Sequence, residues 1–132
     1  MTETRGRVES ISAVTLATID MGRAVAFYDA LGLDRLYGGA DEPFTSYRIG
    51  AGFLNLQLDP AYVAARSVWG RLVLWVDEVD TMYERCRAAG YDPLMAPSNA
   101  PWGERYFHIR DPDGHEVSLA RPLDPPGTRS NP

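Results

Sequence analysis

The sequence predicts an α+β fold built from two βαβββ modules whose curved mixed sheets enclose a cleft, and three observations carry the prediction. An alternating stretch, Tyr106 to Arg121, reads as two strands joined by a tight turn. An apolar run followed by an amphipathic helical stripe and a glycine occurs twice. Shifting the numbering by 58 places Ala13 on Arg71, Leu16 on Leu74, Asp20 on Glu78 and Gly32 on Gly90, so the two occurrences form an internal repeat.

The first module begins with the β-branched run Ile11 to Ile19, a strand. Asp20 caps a helix starting near Met21, and Ala24, Val25, Phe27, Tyr28 and Leu31 form its apolar stripe before Gly32 stops it. Leu33 to Tyr37 suits a short strand. Phe44 to Ile49 and Phe53 to Leu58 then read as a hairpin around Gly50-Ala51-Gly52. Asp59-Pro60 breaks the pattern, and residues 61–68 have no clear state.

The second module repeats the order. Arg71 to Asp77 is its first strand, with Glu78 or Asp80 at a helix start and Met82, Tyr83, Cys86 and Ala89 as the stripe ended by Gly90. Tyr91 to Met95 takes the place of the short strand, with Pro93 restricting it to an edge. The loop 96–104 leads to the closing hairpin, where Asp111-Pro112-Asp113-Gly114 supplies the turn.

A four-stranded sheet with one helix leaves its other face uncovered. The helix-side positions are Val14, Leu16, Leu54, Leu56, Leu72, Leu74, Val117 and Leu119. The alternate positions Thr15, Phe53, Asn55, Gln57, Arg71, Val73, Trp75, Glu116 and Ser118 are expected to face the cleft.

The chain of 132 residues suits one paired-module domain over about 10–121, with modules at about 10–60 and 69–121. Residues 1–9 read as a polar lead-in and 122–132 as a loose Pro-rich tail. The net charge is −5 and the 13 basic residues are scattered, which argues against nucleic acid or an anionic membrane surface as partner. A single cysteine, Cys86, excludes an intrachain disulfide, and no apolar run approaches the length of about 18 residues that spans a bilayer. A cytoplasmic setting is therefore expected.

The segments Ile11 to Asp20, Ala26 to Leu33, Arg71 to Asp77 and Asp111 to Leu119 together resemble the vicinal-oxygen-chelate superfamily, which contains glyoxalase I, bleomycin-resistance proteins and extradiol dioxygenases. The resemblance spans roughly residues 10 to 121. In metal-dependent members it implies one ligand from the first and one from the last strand of each module, which fall here on Ala13, Asn55, Arg71 and Ser118. Ala13 has no donor atom, Arg71 is a permanent cation, and Asn55 and Ser118 are neutral oxygen donors, so neither metal nor other cofactor is expected. His108, His115 and Glu116 do not converge as a relocated site, because His115 has the opposite strand parity to Glu116.

The candidate ligand-binding residues are accordingly Phe53, Asn55, Gln57, Arg71, Trp75, Trp102, Tyr106 and Ser118. A guanidinium holds a carboxylate, phenolate or polarised carbonyl, and the aromatic residues wall a flat ligand. Arg71 paired internally with Glu116 is the competing reading, and Trp69 suits a core or an interface. The resulting expectation is metal-free binding or sequestration of an aromatic or polycyclic small molecule, similar to the drug-resistance branch of the superfamily. The alternative is a metal-independent lyase, isomerase or cyclase, with Arg71 stabilising an oxyanion and His108 or Glu116 moving a proton. The resemblance also implies a homodimer, with the cleft made within one chain or across exchanged modules.

Overall fold

The structure, a computed structural model, describes residues 6–64 and 69–123. Strand β1 (Ala13–Thr18) leads into helix α1 (Met21–Ala30), then β2 (Asp34–Tyr37), β3 (Phe44–Ile49) and β4 (Gly52–Leu58). The second module follows with β5 (Arg71–Trp75), α2 (Val79–Ala88), β6 (Ser98–Asn99), β7 (Glu104–Arg110) and β8 (Glu116–Pro122). The same 58-residue shift superimposes the starts of β1 and β5 and both ends of the two helices. Gly32 and Gly90, which end the helices, adopt φ of 87° and 93°, a conformation that costs other residues strain.

Each module forms its own four-stranded mixed sheet, ordered β1-β4-β3-β2 and β5-β8-β7-β6, with the first pair parallel and the others antiparallel. The sheets are not closed on one another. Asp20 caps α1 as expected, its Oδ1 accepting the Arg23 backbone N–H at 3.1 Å, whereas Glu78 at the start of α2 makes no side-chain cap bond. Asp80 instead holds Arg105 of β7 in a bidentate pair of 2.7 and 3.1 Å.

One element falls elsewhere than the sequence suggests. Tyr91 to Met95 forms no strand, and the short edge strand is Ser98–Asn99, paired with β7. Pro93 lacks an N–H, and the segment makes a single backbone bond to β7, from Leu94 N to His108 O at 2.8 Å. The sheet also extends to Pro122, one residue into the expected tail. The rest of that tail, 124–132, together with residues 1–5 of the lead-in and 65–68 of the unassigned segment, lies outside the described residues.

The helix-side faces of both sheets and one face of each helix merge into a single core. Leu16, Leu54, Leu56, Leu74, Val117 and Leu119 are buried, and Val14 and Leu72 pack against them. Phe27, fully buried on α1, meets Tyr91 of the second module edge-on at 4.9 Å. Burying an aromatic side chain of this kind contributes about 1.5–3 kcal/mol, so α1 binds the second module as well as its own sheet.

Candidate ligand-binding site

The register of the second sheet lines up three rows on the face away from the core. Arg71 lies opposite Glu116, which lies opposite Arg110; Val73, Ser118 and His108 form the next row; Trp75, Ala120 and Tyr106 the third. Trp102, in the loop before β7, stacks on Tyr106 at 6.1 Å and 30°, and the Tyr106 and His108 rings lie 5.1 Å apart. The result is an aromatic strip, Trp102-Tyr106-His108, beside a charged row.

The competing reading of Arg71 is what the structure shows. Its guanidinium donates through Nε and Nη2 to Glu116 Oε1, while Arg110 Nη2 stands 3.9 Å from Oε2. Glu116 is buried, and two guanidinium groups around one carboxylate leave a local excess of one positive charge. Arg71 keeps 42% of its side chain exposed, so its outer edge remains available to an anion. Burial, then the nearby Arg71 charge, holds the His108 ring below its ordinary value against the opposing pull of Glu116. His108 Nδ1 is buried with no hydrogen-bond partner among the described residues. A neutral imidazole with an unused nitrogen, a guanidinium edge and two stacked aromatic rings suit a planar ligand carrying an oxygen anion.

Phe53, Asn55 and Gln57 sit on the corresponding face of the first sheet, and no hydrogen bond among the described residues joins them to Arg71 or Ser118. The Asn55 amide is committed within its own sheet, donating to Thr15 at 3.2 Å and accepting from Ser46 at 2.8 Å. Arg48 lies over the Phe53 ring at 5.2 Å, a cation–π contact. A groove of about 540 Å³ between the two modules is lined by Ala13, Phe53, Leu72 and Val73, and a second of about 330 Å³ reaches Trp75. Neither groove is lined by Asn55, Arg71, His108 or Ser118, and the single chain splits the expected residues between two sheets.

The four positions implied for a metal do not fit one. Ala13 is an alkyl group, the Asn55 amide is bonded at both ends, Arg71 is a paired cation, and Ser118 is a neutral hydroxyl. Among the described residues no three His, Cys, Asp or Glu side chains cluster as a metal centre. His108 and His115 part company, the first on the open face and the second turned towards β1.

The residues that the sequence undervalued lie in the turn between β7 and β8. Asp111, Asp113 and His115 are all buried. Asp111 Oδ1 accepts the backbone N–H groups of Asp113 and His115, each at 2.9 Å, and Oδ2 accepts the Tyr28 hydroxyl at 2.7 Å. Asp113 Oδ1 accepts the Ile19 N–H at 3.0 Å, and His115 Nε2 bonds the Ala17 carbonyl at 2.8 Å, so the turn satisfies the edge of β1 that β4 leaves unpaired. The turn chemistry was visible in Asp111 to Gly114; its partners, about a hundred residues away in sequence, were not. Trp69 is also not a core residue: it is exposed, and its indole bonds His115 Nδ1 at 2.9 Å.

Paired βαβββ modules with a polar and aromatic sheet face define a class of protein. Residues 10–119 match the Glyoxalase/Bleomycin resistance protein/Dioxygenase superfamily, and the chain belongs to it. TioX from Micromonospora sp. ML1 is 27% identical with a TM-score of 0.69, over 87% of this chain and 100% of that one. A bleomycin resistance determinant encoded on the transposon Tn5 shares the fold at 22% identity and a TM-score of 0.70, over 86% and 98% of the two chains. An uncharacterized protein of Mycobacterium bovis is 38% identical over 50 residues, which is 38% of this chain and 33% of that protein, so the match spans about a third of that relative's length.

Proposed function

We propose that the protein binds and sequesters an aromatic or polycyclic small molecule without a metal ion. The observation that carries this reading is the Trp102-Tyr106-His108 strip lying beside the exposed edge of Arg71. A flat ring system stacks on the strip while a carboxylate or phenolate meets the guanidinium. Trp75, on the same face across Ala120, adds a second aromatic wall, and Ser118, buried in the single chain, lies in the row between Val73 and His108. The superfamily's name spans enzymes and resistance proteins alike; sequestration needs only affinity, which ring stacking and a charged edge supply.

We also propose a homodimer in a reducing, cytoplasmic setting. β1 and β5 are edge strands flanking the 540 Å³ groove, and Ile11, Val73 and Trp75 are exposed near it, a surface suited to a second copy that brings Phe53, Asn55 and Gln57 towards Arg71. Cys86 is free and buried, and no helix among the described residues is long and apolar enough to cross a membrane.

Titration with planar aromatic acids, followed by tryptophan fluorescence, tests the binding reading. Saturable quenching that weakens in Trp102→Ala and in Arg71→Ala is expected; binding unaffected by either substitution would refute it. His108, whose Nδ1 has no partner among the described residues and which feels the Arg71 charge, favours a second reading as a metal-independent lyase, isomerase or cyclase, in which His108 or Glu116 moves the proton. Turnover of a bound ligand that disappears in His108→Gln would establish that reading instead.

A further inference from the structure

His115 is 5% exposed, and both of its ring nitrogens are engaged. Nδ1 lies 2.9 Å from the Trp69 indole nitrogen, and Nε2 lies 2.8 Å from the Ala17 carbonyl oxygen. An indole N–H only donates and a carbonyl only accepts. Nδ1 must therefore be bare and Nε2 must carry the hydrogen: the neutral Nε2–H tautomer alone satisfies both partners.

We infer that His115 is a protonation-sensitive clasp with two unequal halves, in which uptake of one proton at Nδ1 releases Trp69 while Nε2 keeps its hold on β1. The imidazolium directs an N–H from each nitrogen. At Nδ1 that hydrogen meets the Trp69 N–H, donor against donor, and the bond is lost. At Nε2 it still points at the Ala17 oxygen, and a charged donor makes the stronger bond. The clasp thus separates two attachments that the neutral ring joins.

Among the described residues, the charged and titratable groups around the ring lie on several elements. The turn contributes Asp111 and Asp113, β8 contributes the neighbouring Glu116, and α1 contributes Tyr28, whose hydroxyl bonds Asp111, which in turn accepts the His115 backbone N–H. Tyr62 lies beside the ring at 5.4 Å between centroids, with its hydroxyl on the Asp113 carbonyl at 3.3 Å. The cations are Arg110 at the end of β7 and Arg23 of α1, whose Nη2 is 3.4 Å from the Pro112 carbonyl. Trp69 precedes Arg71, the first residue of β5, by two residues. None of this depends on the ligand-binding reading.

The test uses the full chain carrying Trp75→Phe and Trp102→Phe, which leaves Trp69 as the sole tryptophan of the three. Its emission is followed from about pH 8 to about pH 5, with the His115 imidazole resonances and far-UV circular dichroism recorded alongside. The emission is expected to change with the midpoint of the His115 titration while the secondary structure holds, and to stay flat when His115→Gln is added. Flat emission while His115 titrates, the same transition in His115→Gln, or no proton uptake before unfolding would each overturn the inference. Should His115→Gln fail to fold, nitrogen-15 shifts of the unsubstituted chain at the upper pH decide: a hydrogen on Nε2 is expected, and one on Nδ1 contradicts the clasp.

Discussion

The Tyr28 hydroxyl donates to Asp111 Oδ2 across 2.7 Å, joining helix α1 of the first module to the β7–β8 turn of the second. Both residues are buried, and burial pushes both groups above their ordinary values, with the Asp111 charge adding to the effect on Tyr28. For Asp111 the Tyr28 hydrogen bond works the other way, favouring the carboxylate.

Tyr28→Phe is therefore expected to destabilise the fold by about 1–3 kcal/mol at neutral pH, the cost of leaving a buried carboxylate oxygen unsatisfied. Removing the bond raises the folded value of Asp111 further. The variant then binds its proton at a higher pH than the parent does, so the stability difference is full above both folded values. It shrinks as pH falls through them, because the neutral acid does not need the lost donor. Urea unfolding at several pH values measures it; a loss that grows on acidification would contradict the sign.

Arg71→Ala leaves the buried Glu116 carboxylate with Arg110 at 3.9 Å as its remaining ion-pair partner among the described residues. Because Arg71 is partly exposed, the expected loss is at the lower end of that for a broken buried pair, about 1–3 kcal/mol. Adding Glu116→Gln removes the stranded charge and should recover most of it. Chemical denaturation of the two single variants and the double variant gives the coupling directly.

Cys86 lies in the apolar stripe of α2, and burial pushes its thiol up to about 11 despite the opposing charge of Arg85. Very little thiolate exists at neutral pH. Alkylation by iodoacetamide in native buffer should be slow and become rapid on unfolding. Fast labelling of the native protein would show that the helix opens far more readily than its packing implies.

Gly38 adopts φ of 86°, and a Cβ there would stand 2.2 Å from the Phe44 carbonyl oxygen. Backbone atoms cannot give way as a flexible side chain does, and a left-handed conformation adds about 1–2 kcal/mol for any residue with a Cβ. Gly38→Ala is expected to lower the melting temperature by several degrees. An unchanged melting curve would mean that the β2–β3 connection relaxes.

Local pattern carried the architecture. The stripe from Ala24 to Leu31, its counterpart around Met82 and Cys86, and glycines 32 and 90 reveal two copies of one unit because helix, cap and stop signals are written within a few residues. The alternation in β8 assigned Val117 and Leu119 to the core for the same reason. Long-range choices were not legible. Pro93 weakened its own segment enough for pairing to pass to Ser98–Asn99, and nothing near His115 announces Ala17 or Trp69 as its partners. Within the candidate site, strand alternation placed residues on their sheet faces, but their division between two sheets depends on how whole modules pack.

The most direct test of metal-free binding is a fluorescence titration of the parent protein with a planar aromatic acid, run before and after exhaustive chelation. Saturable quenching with the same midpoint in both samples is the predicted result. A midpoint that vanishes on chelation and returns with an added divalent transition ion would contradict the account.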